Sequence, residues 1–82
     1  MLTIERSSRF LSTISKIKNK ADEERMKKQI KKITEKPEIG KPMRYGRKGT
    51  REVYFGSFRL SYAYLQDEHK IVFLDLYHKD EQ

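Results

Sequence analysis

The strongest restriction on the fold of this sequence is a series of three β-rich runs in its second half. The runs cover residues 51–55, 58–65 and 70–77, and only Gly56-Ser57 and residues 66–69 separate them. β-Branched and aromatic residues are typical of strands, and connections this short join antiparallel neighbours, because a parallel pair needs a crossover of a dozen or more residues. The sequence therefore predicts a consecutive antiparallel meander.

Two helices are predicted ahead of this meander. Ser7 or Ser8 can cap the first helix, which we expect to fray around Asn19, and its apolar stripe comprises Phe10, Leu11, Ile14 and Ile17. The second helix begins near Ala21 and ends at Pro37, and its apolar face comprises Met26, Ile30 and Ile33. Residues 1–4 alternate apolar and polar side chains, which predicts a short edge strand.

The order of these elements, β-α-α-β-β-β, predicts an α+β fold. Two helices that each bury one apolar stripe would pack on one face of a small, mainly antiparallel sheet and leave the other face open. Eighty-two residues suffice for a single domain, residues 1–82. The chain has no cysteine, no apolar run of membrane-spanning length and a polar start, so we expect a cytoplasmic protein with no membrane partner.

The net charge of +7 is unevenly distributed along the chain. Residues 1–51 carry sixteen basic and six acidic side chains, whereas residues 52–82 carry three and six. Arginine and tyrosine together favour RNA as a partner, because guanidinium and phenol groups stack on bases. The candidates for RNA contact are Arg44, Tyr45, Arg47, Lys48, Arg51 and Lys79. A solvated surface is the alternative, and it is the favoured interpretation for the lysine-rich second helix.

Alternation along the first two β-rich runs separates an inner face from an open face. The side chains directed towards the helices are Val53, Phe55, Phe58, Leu60 and Tyr62, and those on the open face are Glu52, Tyr54, Arg59 and Ser61. A carboxylate, a phenol and a guanidinium on one face can position a phosphate and move protons. A cross-strand ion pair between Glu52 and Arg59 that has no function is the alternative.

The two histidines differ in their surroundings. His78 follows the last β-rich run beside Tyr77, and a histidine near neutral pH is a candidate proton donor or acceptor. His69 lies in a polar turn, where an exposed imidazole is the favoured interpretation. Their spacing does not suit a metal site, and there is no glycine-rich phosphate loop, so neither a metal nor another cofactor is expected.

Two stretches carry a resemblance to a known family. They are PEIGKPMRYGRKGTREVYFGSFRLSY at residues 37–62 and KIVFLDLYHK at residues 70–79. They resemble the RelE/ParE superfamily of type II toxin–antitoxin toxins, in which a helix ends in an N/K-P-x-x-G-K-P-L-like loop. A G-x-x-R-x-x-x-G-x-Y/F-R-x-x-Y hairpin follows, and a final strand leads into a basic or histidine-containing tail. The resemblance spans roughly the whole domain and implies the same order of elements.

For RelE-like and YoeB-like members, the resemblance implies a metal-independent endoribonuclease that cuts mRNA on the ribosome. The ribose 2′-hydroxyl attacks the neighbouring phosphate, and Arg59 would stabilise the developing charge. Tyr77-His78 resembles the C-terminal Tyr-His pair of YoeB-like toxins, which makes His78 a candidate proton shuttle. The implied partners are a cognate RelB-like antitoxin, mRNA and the ribosome.

The sequence also departs from this pattern at several positions. Glu52 and Tyr54 replace two basic strand residues of RelE-like enzymes, which leaves the general base open. The terminal tyrosine of several members is absent, so Tyr54 or Tyr77 would provide stacking. Loss of catalytic side chains separates the gyrase-poisoning ParE branch from the ribonucleases, but Arg59 and His78 favour a ribonuclease. A gyrase inhibitor and a non-catalytic RNA-binding or regulatory domain remain the alternatives.

Overall fold

In a computed structural model, which describes residues 2–42 and 49–78, two helices pack against a five-stranded sheet. The elements in chain order are β1 (Thr3–Arg6), α1 (Ser8–Ile14), α2 (Lys20–Glu35), β2 (Lys41–Pro42), β3 (Thr50–Phe55), β4 (Phe58–Leu65) and β5 (Lys70–His78). The strand order is β1-β5-β4-β3-β2, in which β1 runs parallel to β5 and the other pairs are antiparallel. The predicted α+β architecture and the meander are confirmed.

Side-chain caps determine where the helices begin. The Ser7 hydroxyl accepts a hydrogen bond from the backbone N–H of Phe10 at 3.0 Å and caps α1. Asn19 accepts from the backbone N–H of Ala21 at 2.8 Å and so caps α2. The prediction that the first helix frays around Asn19 is wrong, because α1 ends at Ile14 and Asn19 already starts the next helix.

The core lies between the helices and one face of the sheet. Its fully or nearly fully buried members are Phe10, Met26, Ile33, Phe55, Leu60, Tyr62, Ile71, Phe73 and Leu76. Phe10 stacks on Phe73 with ring centroids 5.3 Å apart and so fixes α1 to β5. Leu11 was predicted to be buried but is 51% exposed. Phe10 and Ile14 define the buried line of α1, and Leu11 lies about 100° further round the helix.

A β-bulge in β5 changes which side chains face the helices. Ser61 lies opposite Asp75 and Tyr62 lies opposite Phe73, so Leu74 is the additional residue. Before the bulge, Phe73 is buried against the helices, and after it the next buried residue is Leu76 rather than Asp75. The bulge therefore directs Asp75 and Tyr77 to the open face.

The segment before β3 contains a short strand that the sequence did not predict. Lys41 pairs with Glu52 and Pro42 with Arg51, within residues 38–48, which the sequence predicts to be an ordered loop. Two residues are too few to show a strand periodicity, and proline is tolerated at the edge of a sheet. Within the described residues, no helix has the length and apolar character needed to cross a membrane.

Candidate active site

Four polar side chains form one cluster on the open face of the sheet, which we call the open-face cluster. Glu52 and Tyr54 come from β3, Arg59 from β4 and Tyr77 from β5. The Tyr54 hydroxyl donates to Glu52 Oε1 at 3.0 Å, and the Tyr77 hydroxyl donates to Glu52 Oε2 at 3.2 Å. Because β4 lies between β3 and β5, the Tyr77 side chain crosses β4 to reach Glu52. The carboxylate is thus held from both sides by phenols.

Arg59 is oriented by an aromatic ring. It lies opposite Tyr54 in the β3–β4 pair, and its guanidinium carbon is 4.7 Å from the centre of the Tyr54 ring. The ammonium of Lys41 lies 5.9 Å from the same ring. Such cation–π contacts contribute about 0.5–1 kcal/mol at exposed sites. Glu52 lies opposite Ser61, so the Glu52–Arg59 pairing considered from the sequence is not the register that forms.

The phenol of Tyr54 is held in its protonated form. Its hydrogen bond to Glu52 and the negative charge of that carboxylate raise the pKa of Tyr54 above its ordinary value. Tyr54 is also 50% exposed, so its ring can be reached from solvent. It therefore offers a stacking surface, while its hydroxyl proton is engaged by Glu52.

His78 lies on the other side of the sheet from Arg59. Arg59 pairs with Tyr77, whereas His78 pairs with Phe58. The imidazole packs edge-on against the Phe58 ring, with centroids 5.5 Å apart. His78, a candidate proton shuttle for the same reaction as Arg59, therefore lies on the other face of the sheet, because the bulge at Leu74 reverses the alternation of the last strand residues. Its role in catalysis stays a prediction.

Arg51, predicted to bind RNA phosphates, contacts the backbone of the preceding loop. Its guanidinium donates to the carbonyls of Glu38 at 3.1 Å and Gly40 at 2.8 Å. The Tyr62 hydroxyl accepts from the N–H of Gly40 at 2.9 Å and donates to the carbonyl of Pro37 at 2.7 Å. These bonds fix the loop ahead of Lys41. We call this group the loop clamp.

Glycine is needed at position 40 of the loop clamp for a steric reason. A Cβ atom at this position would lie 2.6 Å from the Tyr62 hydroxyl and 3.0 Å from the Cβ of Arg51. Only glycine therefore allows the backbone to approach Tyr62 closely enough for the hydrogen bond.

The other predicted RNA-contact residues lie outside the described residues: Arg44, Tyr45, Arg47, Lys48 and Lys79. Sequence reasoning also missed Asp75, which pairs with Arg9 at 3.7 Å next to the cluster. An aspartate inside the otherwise apolar run IVFLDLY was the signal for it. Among residues 2–42 and 49–78, no group of histidine, cysteine, aspartate and glutamate side chains is arranged to hold a metal ion.

A family model described as the ParE toxin of the type II toxin–antitoxin system parDE matches residues 4–82. The isolated RelE toxin of Escherichia coli has a similar structure, with a TM-score of 0.79 at 16% identity over 95% of this chain and 84% of that one. No curated protein sequence gives a significant match.

Two further solved structures share the fold. One is a RelBE toxin–antitoxin complex from Mycobacterium tuberculosis, with a TM-score of 0.78 at 20% identity over 94% of this chain and 96% of that one. The other is a conserved hypothetical protein from Helicobacter pylori, with a TM-score of 0.61 at 23% identity over 99% and 98% of the two chains. At these identities, the structures establish the fold.

Proposed function

This chain belongs to the ParE toxin family of type II toxin–antitoxin systems, and we propose that it is a metal-independent endoribonuclease that cuts mRNA on the ribosome. One observation carries the proposal: a carboxylate held between two phenols shares a sheet face with an arginine that stacks on one of those phenols, and neither of the two described helices covers that face. These groups supply a proton acceptor, hydrogen-bond donors and a fixed positive charge, which are the requirements of phosphodiester cleavage by a neighbouring hydroxyl.

Each member of the open-face cluster has a role in this reaction. Glu52 accepts the proton of the ribose 2′-hydroxyl as its oxygen attacks phosphorus. Arg59 binds two phosphate oxygens and stabilises the charge that develops on them. Tyr77 transfers its hydroxyl proton to the leaving 5′ oxygen and regains a proton from Glu52, to which it is hydrogen-bonded. The exposed Tyr54 ring stacks on a base. The products are a 2′,3′-cyclic phosphate and a 5′-hydroxyl.

A cognate antitoxin is the expected protein partner. Two of the solved structures with a similar fold are RelBE toxin–antitoxin complexes, one from Escherichia coli and one from Mycobacterium tuberculosis. An excess of basic residues on this toxin suits an acidic antitoxin segment, since complementary charge speeds association and favours the correct partner. Such an antitoxin would neutralise a ribonuclease and a gyrase inhibitor alike.

Inhibition of DNA gyrase by binding is the second candidate function. Two observations favour it: the matching family model is that of ParE toxins, and His78 lies on the opposite face from Arg59. A gyrase inhibitor would need neither a proton acceptor nor a proton donor on the open face.

One experiment separates the two functions. The protein is expressed from an inducible promoter, mRNA 5′ ends are mapped, and gyrase–DNA cleavage complexes are measured in the same cells. New mRNA 5′ ends inside coding regions support the ribonuclease function. Intact mRNA together with gyrase trapped on DNA would overturn it and support the gyrase-inhibitor function instead.

The variant Glu52→Gln tests the assigned general base. Glutamine keeps an acceptor oxygen for one phenol but cannot take up the 2′-hydroxyl proton. Single-turnover cleavage on programmed ribosomes should fall by about 10²–10⁴, the contribution of one general base. Glu35→Gln at the end of α2 is the matched control and should cleave like the parent. Equal rates for Glu52→Gln and the parent would remove Glu52 from the mechanism.

A further inference from the structure

A second concave site adjoins the open-face cluster, between the start of α1 and β5. This pocket has a volume of about 410 Å³ and is lined by residues 7–9, Ser61, Leu74, Asp75 and Tyr77. We call it the β5 pocket. Its volume falls within the range of about 300–1,000 Å³ that is typical of small-molecule sites. The bulge at Leu74 creates it, because the bulge turns Asp75 towards the open face.

Tyr77 connects the β5 pocket to the open-face cluster. Its side chain lines the pocket, while its hydroxyl donates to Glu52 Oε2 at 3.2 Å. A single aromatic side chain therefore separates a ligand in the pocket from the proposed general base. Unpaired bases in RNA–protein complexes stack on such rings.

Asp75 is the fixed polar group of the pocket. Its Oδ1 accepts a hydrogen bond from the backbone N–H of Leu76 at 2.8 Å, which anchors the carboxylate. Its Oδ2 lies 3.7 Å from Arg9, whose side chain is 78% exposed. An ion pair this exposed and this long is weak, so Arg9 is able to leave it for a phosphate. An ionised carboxylate has acceptors alone, and its two oxygens can take two parallel N–H donors.

We propose that the β5 pocket binds the base of a nucleotide adjacent to the cut phosphodiester and selects guanine through Asp75. This proposal rests on the proposed ribonuclease function. Guanine presents two neighbouring N–H donors on its Watson–Crick edge, which match the two carboxylate oxygens. Adenine and cytosine each present a donor beside an acceptor, and uracil presents one donor between two acceptors, so each would place an acceptor against the carboxylate. Tyr77 stacks on the bound base, and Arg9 contacts its phosphate.

Binding of single nucleotides tests the pocket without any cleavage. The ¹⁵N-labelled parent protein is titrated with the 5′-monophosphates of guanosine, adenosine, cytidine and uridine, and backbone amide shifts are followed. Guanosine monophosphate should bind at least about tenfold more tightly than the other three, as a bidentate base contact implies. The largest shifts should occur at Ser8, Leu74 and Asp75. Equal binding of all four nucleotides, or shifts centred elsewhere, would overturn the proposal.

The variant Asp75→Asn turns the test into a specificity switch. Asparagine can still accept from Leu76, so the fold is kept, but its amide offers one donor and one acceptor. The preference for guanosine monophosphate should disappear, and the affinity for adenosine or cytidine monophosphate should increase. Asp67→Asn, in the exposed turn before β5, removes the same charge and should leave the preference unchanged. A guanine preference that survives Asp75→Asn would assign the selection to another residue and overturn the proposal.

Cleavage mapping distinguishes failure of the pocket from failure of the proposed function. Selective guanine binding that Asp75→Asn abolishes supports the pocket even if the parent leaves mRNA intact, in which case the ribonuclease function fails alone. If the parent and Asp75→Asn both cut mRNA on ribosomes without guanine enrichment next to the cut, the proposed guanine pocket is overturned. The proposed ribonuclease function then stays in place.

Discussion

Arg59 combines a permanent charge with a fixed orientation, which makes it the residue whose replacement is most informative. Its guanidinium can grip two phosphate oxygens, and the Tyr54 ring lies 4.7 Å from the guanidinium carbon. Arg59→Ala should lower single-turnover cleavage by about 10²–10³, the contribution of one preorganised donor. Arg59→Lys should restore little, because a point charge lacks the planar fork.

The control for Arg59 is another arginine on the opposite side of the molecule. Arg25→Ala on α2 removes an equally charged side chain from the helix layer and should cleave like the parent. Folding of each variant is checked by thermal unfolding. A folded Arg59→Ala protein that cuts within about threefold of the parent, a barrier change below ~1 kcal/mol, would contradict the assignment.

His78→Ala separates a catalytic role from a packing role. The imidazole contacts the Phe58 ring at 5.5 Å on the helix side, so its loss should lower the free energy of unfolding by about 0.5–1.5 kcal/mol. Cleavage by the folded variant should stay within about threefold of the parent. If cleavage instead falls by about 10²–10⁴ while thermal stability is unchanged, the proton-shuttle role suggested by the family resemblance is correct.

At the level of the elements, the sequence correctly predicts which side chains lie on the open face wherever a strand keeps an unbroken alternation. β3 and β4 are joined by a two-residue turn and stay in register from Phe55–Phe58 to Thr50–Ala63, so Glu52, Tyr54 and Arg59 lie where alternation predicts. The sequence hints at the bulge at Leu74 only through Asp75, a charged residue that continued alternation from Phe73 would bury. Continued alternation from Phe73 would place His78 on the open face and Tyr77 inside, the reverse of the structure.

The loop clamp is an element-level device that fixes the entrance to β2. Tyr62→Phe removes the hydroxyl that accepts from Gly40 and donates to Pro37, and the N–H of the buried Gly40 loses its partner. The free energy of unfolding should fall by about 1–3 kcal/mol, the cost of an unsatisfied buried polar group. Urea unfolding measures this change.

Tyr64→Phe is the matched control, since it deletes the same atom two residues further along β4 and away from the loop. Its free energy of unfolding should lie close to that of the parent. Equal losses in the two variants would show that the hydroxyl of Tyr62 does not hold the loop.

Across the whole molecule, the two faces of the sheet have separate tasks. The helix-covered face holds the core, the loop clamp and His78, whereas the open face holds the cluster and the β5 pocket. Arg51 illustrates why residue type alone misleads: it pairs with Tyr62 and so lies on the covered side, although its charge suggested a phosphate ligand. The RNA contacts expected of residues 44, 45, 47, 48 and 79 stay predictions.

The stability of the whole molecule should depend on pH in the alkaline range through Tyr62. Burial raises the pKa of Tyr62 above its ordinary value of 10.0, although the N–H of Gly40 and the charge of Arg51 act in the opposite direction.

Below pH 10 the phenol of Tyr62 is neutral in both the folded and unfolded states, so its contribution to the free energy of unfolding is fully present. Above pH 10 the unfolded chain releases the proton first, and the free energy of unfolding falls until the pH passes the pKa of the folded state. Each group of this kind contributes a slope of at most about 1.4 kcal/mol per pH unit. Tyr54, whose pKa is also raised, contributes with the same sign in the parent and in Tyr62→Phe. The difference between the two proteins therefore isolates Tyr62: it should be constant from pH 7 to 9 and shrink above pH 10 in urea unfolding. A difference that stays constant to pH 11 would show that Tyr62 ionises as readily in the fold as in the unfolded chain.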